Sequence, residues 1–248
     1  MKVLILAAGF GTRLRPLTNE IPKSLLSLCR GRVIDEQITN LVQGKLSSIF
    51  VMTNNKFYEG LRTWLSSSKY SKFVTLIDNE IQSEESRRGA VGDLTFFIDK
   101  VKPDDDLLVL GSDNIFDDSF EGILNFFNDK KHFVVIAVHT LANSNFSKQP
   151  NEVTLEKETS KIVKFLEKPT KPQSSYIASL LYFFPKSMLK LPASYLAEGN
   201  NPDQAGNFIS WLIQHNYPVF GYEMQGRRFD IGDPESYSST QKLYPCRN

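Results

Sequence analysis

The sequence predicts an α/β fold, with a mostly parallel twisted sheet carrying helices on both faces and a smaller antiparallel sub-region following it. Through the first half, short apolar runs alternate with stretches of helical periodicity, the pattern of strand–helix–strand units. Beyond about residue 150 the helical stretches thin out and apolar runs succeed one another more closely, as antiparallel strands do. A glycine-rich loop comes directly after the first apolar run. Open parallel sheets bind ligands beyond the carboxyl ends of their strands, so this loop marks the expected binding crevice.

Residues 3–6 (VLIL) read as the first strand, an unbroken apolar run suited to burial on both faces. Residues 33–46 place apolar side chains at helical spacing, and 49–52 form the next strand. A helix at 57–65, a strand at 73–77 and a short helix at 92–101 follow. A strand at 107–110, a helix at 120–127 and a buried strand at 133–138 complete the first half. The antiparallel piece is read from strands at 153–155, 162–166 and 176–184. A helix at 207–215, a strand at 219–222 and a helix at 235–243 finish the chain. The polar stretch 141–151 (LANSNFSKQPN) is the expected flexible connection. No repeat or low-complexity linker intervenes, so a single domain with two halves, 1–140 and 141–248, is expected.

The 248 residues, 41% of them hydrophobic, are ample for one sizeable core. Basic residues (29) nearly balance acidic ones (28), which excludes recognition of nucleic acid through a broad basic surface. A phosphate-bearing ligand must instead meet a local cluster of cations. The three histidines show no metal-cage spacing, so a zinc site is not expected. No 18-residue apolar run or signal segment is present, and a cytoplasmic protein is expected. Cys29 and Cys246 lie far apart and are expected as reduced thiols.

The loop Leu6-Ala7-Ala8-Gly9-Phe10-Gly11-Thr12-Arg13, with Lys23 ten residues beyond the arginine, carries the chemistry. Its glycines let bare backbone take strained angles and approach a ligand closely. Arg13 supplies a planar fork for phosphate oxygens and Lys23 a point charge on a long stem. The spacing matches neither the dinucleotide fingerprint nor the Walker loop, and glycines alone would also suit a tight turn. The whole stretch VLILAAGFGTRLRPLTNEIPKSLL resembles the signature of the sugar-phosphate nucleotidyltransferases, L-A-x-G-x-G-T-R-L-x-P-x-T followed by P-K-x-L.

Further strings share that resemblance. Asp113, in Gly111-Ser112-Asp113-Asn114-Ile115-Phe116, serves by position alone equally as a turn former or a functional carboxylate. The resemblance implies a magnesium ligand there, although Ser112 is inserted relative to the family pattern. Asp230, in Arg228-Phe229-Asp230-Ile231-Gly232, is the implied second ligand, while Asp233-Pro234 reads as the start of the last helix. Glu167-Lys168-Pro169 resembles the acceptor motif, in which the lysine meets the acceptor phosphate and the glutamate its hydroxyls. Gly89-Ala90-Val91-Gly92-Asp93-Leu94 fits the helix start near the nucleotide base. Arg87 and Arg88 beside it are open to phosphate or solvent. Two departures stand out: Leu180 occupies a position that is usually glycine, and Pro150-Asn151-Glu152 replaces the usual residues ahead of the 153–155 strand.

The resemblance implies a Rossmann-like, GT-A-like fold with a nucleotide-binding half at 1–140 and an acceptor-binding half at 141–248. It implies Mg²⁺-dependent attack of a sugar 1-phosphate on the α-phosphorus of a nucleoside triphosphate, releasing pyrophosphate. Arg13 and Lys23 are the implied catalytic cations. Leu6, Ala7, Ala8, Gly9, Gly11, Thr12, Arg13, Lys23, Gly89 and Asp113 are the implied nucleotide contacts. Asn114, Glu167, Lys168 and Tyr182 are the implied acceptor contacts, and Asp113 and Asp230 the metal ligands. The implied partners are the triphosphate and a phosphorylated small molecule. No nucleic acid or membrane is expected, and nothing predicts a homo-oligomer. No acyltransferase or left-handed β-helix extension is expected after the last helix. Two alternatives stay open: a cytidylyltransferase with a phosphocholine- or phosphonate-type acceptor, and an inactive nucleotide-sensing homologue.

Overall fold

The computed structural model describes residues 1–140, 144, 145 and 150–246, so most of the expected connection at 141–151 lies outside the described residues. In chain order the elements are β1 (Lys2–Leu6), β2 (Ser27–Leu28), β3 (Gly31–Arg32), α1 (Val33–Gln43), β4 (Ile49–Thr53), α2 (Asn55–Ser67) and β5 (Val74–Asp78). They continue with α3 (Ala90–Val101), β6 (Leu107–Gly111), β7 (Asn114–Phe116), α4 (Glu121–Asp129), β8 (Val134–Thr140) and β9 (Ser144–Asn145). Then come β10 (Asn151–Glu156), β11 (Lys161–Leu166), β12 (Tyr176–Phe184), α5 (Leu191–Ala197), α6 (Ala205–Gln214), β13 (Val219–Glu223), β14 (Arg228–Asp230) and α7 (Pro234–Leu243).

Nine strands form one mixed sheet in the order β10-β11-β13-β8-β12-β6-β1-β4-β5. β1 lies parallel between β6 and β4, β4 continues parallel to β5, and β8 and β13 are also parallel. β12 runs antiparallel between β6 and β8, and β10–β12 supply the antiparallel part within this sheet. Side chains alternate along β1: Val3 and Ile5 pack with α1, α2 and α4, whereas Leu4 packs with α3, α5 and α6. Every residue of β6 is buried, as a strand covered on both faces requires.

Several elements were not anticipated from the sequence. β7 and β14 have three residues each and pair antiparallel, with β9 on the far side of β14. α5 is a single short helix of seven residues with Pro192 in its first turn. α3 begins at Ala90, two residues earlier than expected, because Gly89 holds φ at 78° and a Cβ there would meet Asp203 Cα at 2.4 Å.

The expectation of reduced thiols is overturned. Cys29 and Cys246 form a disulfide with Cα atoms 5.4 Å apart. The hairpin of β2 and β3 and the segment after α7 meet over a small separate core of Leu14, Leu26, Leu28, Val33, Ile115, Phe229, Ile231, Tyr237 and Tyr244. Two cysteines 217 positions apart give no local signal of this encounter. Replacing both by serine is expected to cost about 2–5 kcal/mol of stability, read by urea unfolding of the two proteins without reductant. An unchanged midpoint would show that the bond does not stabilise the fold.

Candidate active site

A cleft of about 640 Å³ opens at the carboxyl ends of β1 and β6. Leu6, Ala8, Gly9, Gly11, Thr12, Arg13, Lys23, Gly89, Asp113, Asn114, Glu167, Lys168, Tyr182 and Asp230 all line it. Among the expected site residues only Ala7 does not; it is buried, and its N–H donates to the Met52 carbonyl at 2.8 Å. Within the glycine loop, positive φ is confined to Gly11, at 65°, where a Cβ would lie 2.9 Å from that of Thr18. Gly9 has no positive φ, contrary to expectation, and a Cβ there would enter open space. Asn54 steadies the loop: its Oδ1 caps α2 at the Phe57 N–H (3.1 Å) while its Nδ2 donates to the Ala8 carbonyl (2.9 Å).

The two expected metal carboxylates meet through strand pairing. Asn114 sits opposite Asp230, and the Ile231 N–H donates to the Asp113 carbonyl at 3.0 Å. α1 fixes β7 from behind. Gln37 Nε2 donates to the carbonyls of Gly111 (3.0 Å) and Asn114 (2.7 Å), and Asn40 Nδ2 donates to that of Phe116 (2.6 Å). Ser112 turns the chain between β6 and β7, and its N–H donates to the Leu6 carbonyl at 3.1 Å.

Lys23 Nζ donates to Asp113 Oδ2 at 2.6 Å. Arg228 Nε donates to Asn114 Oδ1 at 2.6 Å and its Nη2 to Asp230 Oδ1 at 3.2 Å. Burial opposes ionisation of Asp113, but the charges of Lys23 and Arg228 and the lysine hydrogen bond outweigh it and hold the carboxyl below its ordinary range. Arg13 closes the constellation: a Cβ on Gly232 would lie 2.8 Å from Asp230 Oδ2 and 3.4 Å from Arg13 Nη2. Two hard carboxylates suit a divalent ion whose shell is completed by phosphate oxygens. Among the described residues no three His, Cys, Asp or Glu side chains gather as a complete metal cage.

On the opposite wall, Glu167 lies against Gly206 at the start of α6, where a Cβ would come within 1.9 Å of its Oε2. Burial raises the Glu167 carboxyl above its ordinary value, against the pull of Lys168. Lys168, with φ 46°, donates its N–H to Asn151 Oδ1 at 3.2 Å, and its half-exposed side chain places Nζ 3.6 Å from Glu167 Oε1. The Tyr182 hydroxyl is buried without a hydrogen-bond partner among the described residues, and burial followed by the nearby Glu167 charge keeps it protonated. β12 is bulged here: Ala178 pairs with Val138 but Tyr182 with Ile136, so Ser179 to Leu181 face a single residue. The bulge brings Ser179 and Leu180 to the cleft.

The third wall is the start of α3. Arg87 pairs with Asp203 at 3.5 Å, whereas Arg88 donates to the Asn79 carbonyl at 3.4 Å and covers the Phe96 ring. Asp93, 8% exposed, accepts from Asn79 Nδ2 at 2.8 Å. Burial pushes its carboxyl up to about 6. Sequence reasoning gave neither Arg228 nor Asp93 a role. For Arg228 the available signal was its spacing: two positions before Asp230 on one strand, both side chains share a face.

A glycine loop, clustered cations and paired carboxylates therefore meet at the strand ends of an α/β sheet. The chain belongs to the nucleotidyl transferase family, whose model matches residues 2–245. It is 26% identical over 245 residues to the mannose-1-phosphate guanylyltransferase catalytic subunit beta of Xenopus tropicalis. It is 31% identical over 248 residues to a mannose-1-phosphate guanyltransferase of Hypocrea jecorina. Each alignment covers 98% of this chain, which spans 64% of the length of either relative. A Bacillus anthracis structure assigned as a glucose-1-phosphate thymidylyltransferase superposes with a TM-score of 0.84 at 23% identity, covering 100% of this chain and 96% of that one. That likeness establishes the Rossmann-like fold.

A raised carboxyl makes the folded state weaker wherever the group is ionised. At low pH Asp93 is protonated in both folded and unfolded chains, and the cost grows as pH rises from about 4 to about 6. Asp93→Asn is therefore expected to add about 1–3 kcal/mol at pH 8, a gain that shrinks toward zero near pH 4. Urea unfolding at both pH values checks this, and equal gains at the two would rule out relief of the buried charge as the cause.

Proposed function

We propose that this chain is a sugar-1-phosphate nucleotidyltransferase, joining a nucleoside triphosphate to a sugar 1-phosphate and releasing pyrophosphate. The observation that carries this reading is the convergence of Arg13, Lys23, Asp113 and Asp230 on one cleft beside the Gly9–Gly11 loop. The names of the relatives, mannose-1-phosphate guanylyltransferases and a glucose-1-phosphate thymidylyltransferase, support the sugar-phosphate class.

Bringing an acceptor phosphate against a triphosphate is opposed first by charge repulsion, so the site must supply cations and alignment. Backbone around Gly9 and Gly11 cradles the triphosphate. Lys23 stabilises the α-phosphate, Arg13 holds the departing pyrophosphate, and Lys168 positions the attacking phosphate oxygen in line. No general base is needed, because that oxygen is already ionised near neutral pH. Asp113 and Asp230 would hold Mg²⁺, which when bound draws electron density from the α-phosphate. Glu167 and Tyr182 bind acceptor hydroxyls; the tyrosine presents a buried O–H that has no partner among the described residues. The half at 1–140 serves the nucleotide and that at 141–248 the acceptor. Leu180, which lines the cleft, favours a second reading, a cytidylyltransferase with a non-sugar phosphorylated acceptor, because a side chain at that position hinders the close approach of a sugar that bare backbone would allow.

Arg13→Ala and Lys23→Ala are each expected to lower turnover by about 10²–10³-fold while the protein stays folded. Pyrophosphate release with a panel of triphosphates and phosphorylated acceptors, monitored beside circular dichroism, measures this. Near-normal turnover in both variants would remove the two cations from the mechanism. Turnover with phosphocholine but with no sugar 1-phosphate would select the second reading.

A further inference from the structure

We propose that Asp93 reads the base of the bound nucleotide and selects guanine, its carboxylate accepting the two adjacent donors on that base's pairing edge. The inference rests on the nucleotidyltransferase reading and goes further, to the identity of the nucleotide.

Asp93 lies one turn into α3, is 8% exposed, and lines the same cleft as Gly9 and Gly89. Its Oδ1 is taken by Asn79 Nδ2 at 2.8 Å. Among the described residues it has no ion pair; Arg88, whose charge it feels, donates instead to the Asn79 carbonyl at 3.4 Å and covers the Phe96 ring at 4.6 Å. A buried carboxylate without an ion partner weakens the fold. Latching Asn79 to α3 does not require that charge, since an amide oxygen at the same position would accept the same bond. An acid kept here against stability fits a visitor that arrives with hydrogen-bond donors.

The remaining walls say which part of the visitor that is. The phosphates belong with Arg13 and Lys23, and the acceptor with Glu167 and Lys168, which leaves the wall where Gly89 opens α3 for the nucleoside. An ionised carboxylate only accepts hydrogen bonds. Guanine presents N1–H and the 2-amino group side by side, one for Oδ2 and one for the second lone pair of Oδ1, which keeps its bond from Asn79. Uracil and thymine present one N–H between two carbonyl oxygens, which the carboxylate repels. Adenine and cytosine present one amino group beside a bare ring nitrogen, so half of the contact is unfavourable. A site whose polar group is paired by one base and left unpaired or opposed by the others discriminates strongly.

Isothermal titration of the wild-type chain and Asp93→Asn with GTP, ATP, CTP, UTP, dTTP and 2′-deoxyGTP tests this. Wild type is expected to bind GTP and 2′-deoxyGTP about tenfold or more tightly than the other four. In Asp93→Asn that preference is expected to fall below about threefold, through weaker binding of GTP and 2′-deoxyGTP together with tighter binding of UTP and dTTP. A wild-type preference for any other base overturns the inference without need of the variant, as does a GTP preference that survives in Asp93→Asn. A preference for GTP over 2′-deoxyGTP that vanishes in the variant also overturns it, because the carboxylate would then be reading the ribose. Binding of all triphosphates without discrimination sinks the base assignment and leaves the nucleotidyltransferase reading standing; absence of any triphosphate binding sinks both.

Discussion

Asp113, in the turn that leads into β7, and Asp230, on the neighbouring β14, bring like charges to one cleft, an arrangement that would push the two segments apart if left unbalanced. Lys23, 2.6 Å from the first carboxylate, and Arg228, 3.2 Å from the second, supply the balance. Each cation pays part of its own burial through the pair, and Arg228 adds a bond to Asn114 that ties the strands across their register. In the proposed reaction the incoming polyphosphate competes for some of the same nitrogens.

That scaffold is local as well as global. Leu14 follows Arg13, Leu26 lies a turn beyond Lys23, Ile115 follows the Asp113-Asn114 step, and Phe229 and Ile231 flank Asp230; all are buried in one small core with Tyr237 and Tyr244. Each charged side chain is thus fixed by an apolar neighbour in sequence that cannot leave the core without exposing itself to water. Thr240 and Tyr237 of α7 reinforce the arrangement by donating to the carbonyls of Asp230 (2.9 Å) and Ser27 (2.8 Å). Positioning of the cleft chemistry is therefore spread over segments far apart in the chain, and no single loop carries it.

What was legible beforehand follows from where the information resides. β6 and β12 could be read because their apolar runs are long, and β12 was anticipated with its observed bounds, Tyr176–Phe184. The last helix was equally plain: Asp233 caps it as expected, accepting from the Ser236 N–H at 2.8 Å, with Pro234 in the first turn. The glycine loop and the carboxylate strings were legible as motifs, and the fold brings them to one cleft. β7 and β14 were not, since a three-residue strand exists only by virtue of a partner more than a hundred positions away. Asp93 and Arg228 escaped notice for a related reason. Their importance lies in being buried beside particular neighbours, and burial of a single charged residue leaves no periodic trace in the sequence.

The covalent link between Cys29 and Cys246 has a temporal consequence. Its two ends are separated by 217 positions, so on the ribosome the first thiol is synthesised long before its partner emerges. During that interval the hairpin bearing Cys29 exists without the segment that caps it, and so does the lysine turn that precedes it. The second carboxylate of the cleft, Asp230, and the tether itself reach the growing chain only long after the hairpin they join has been made.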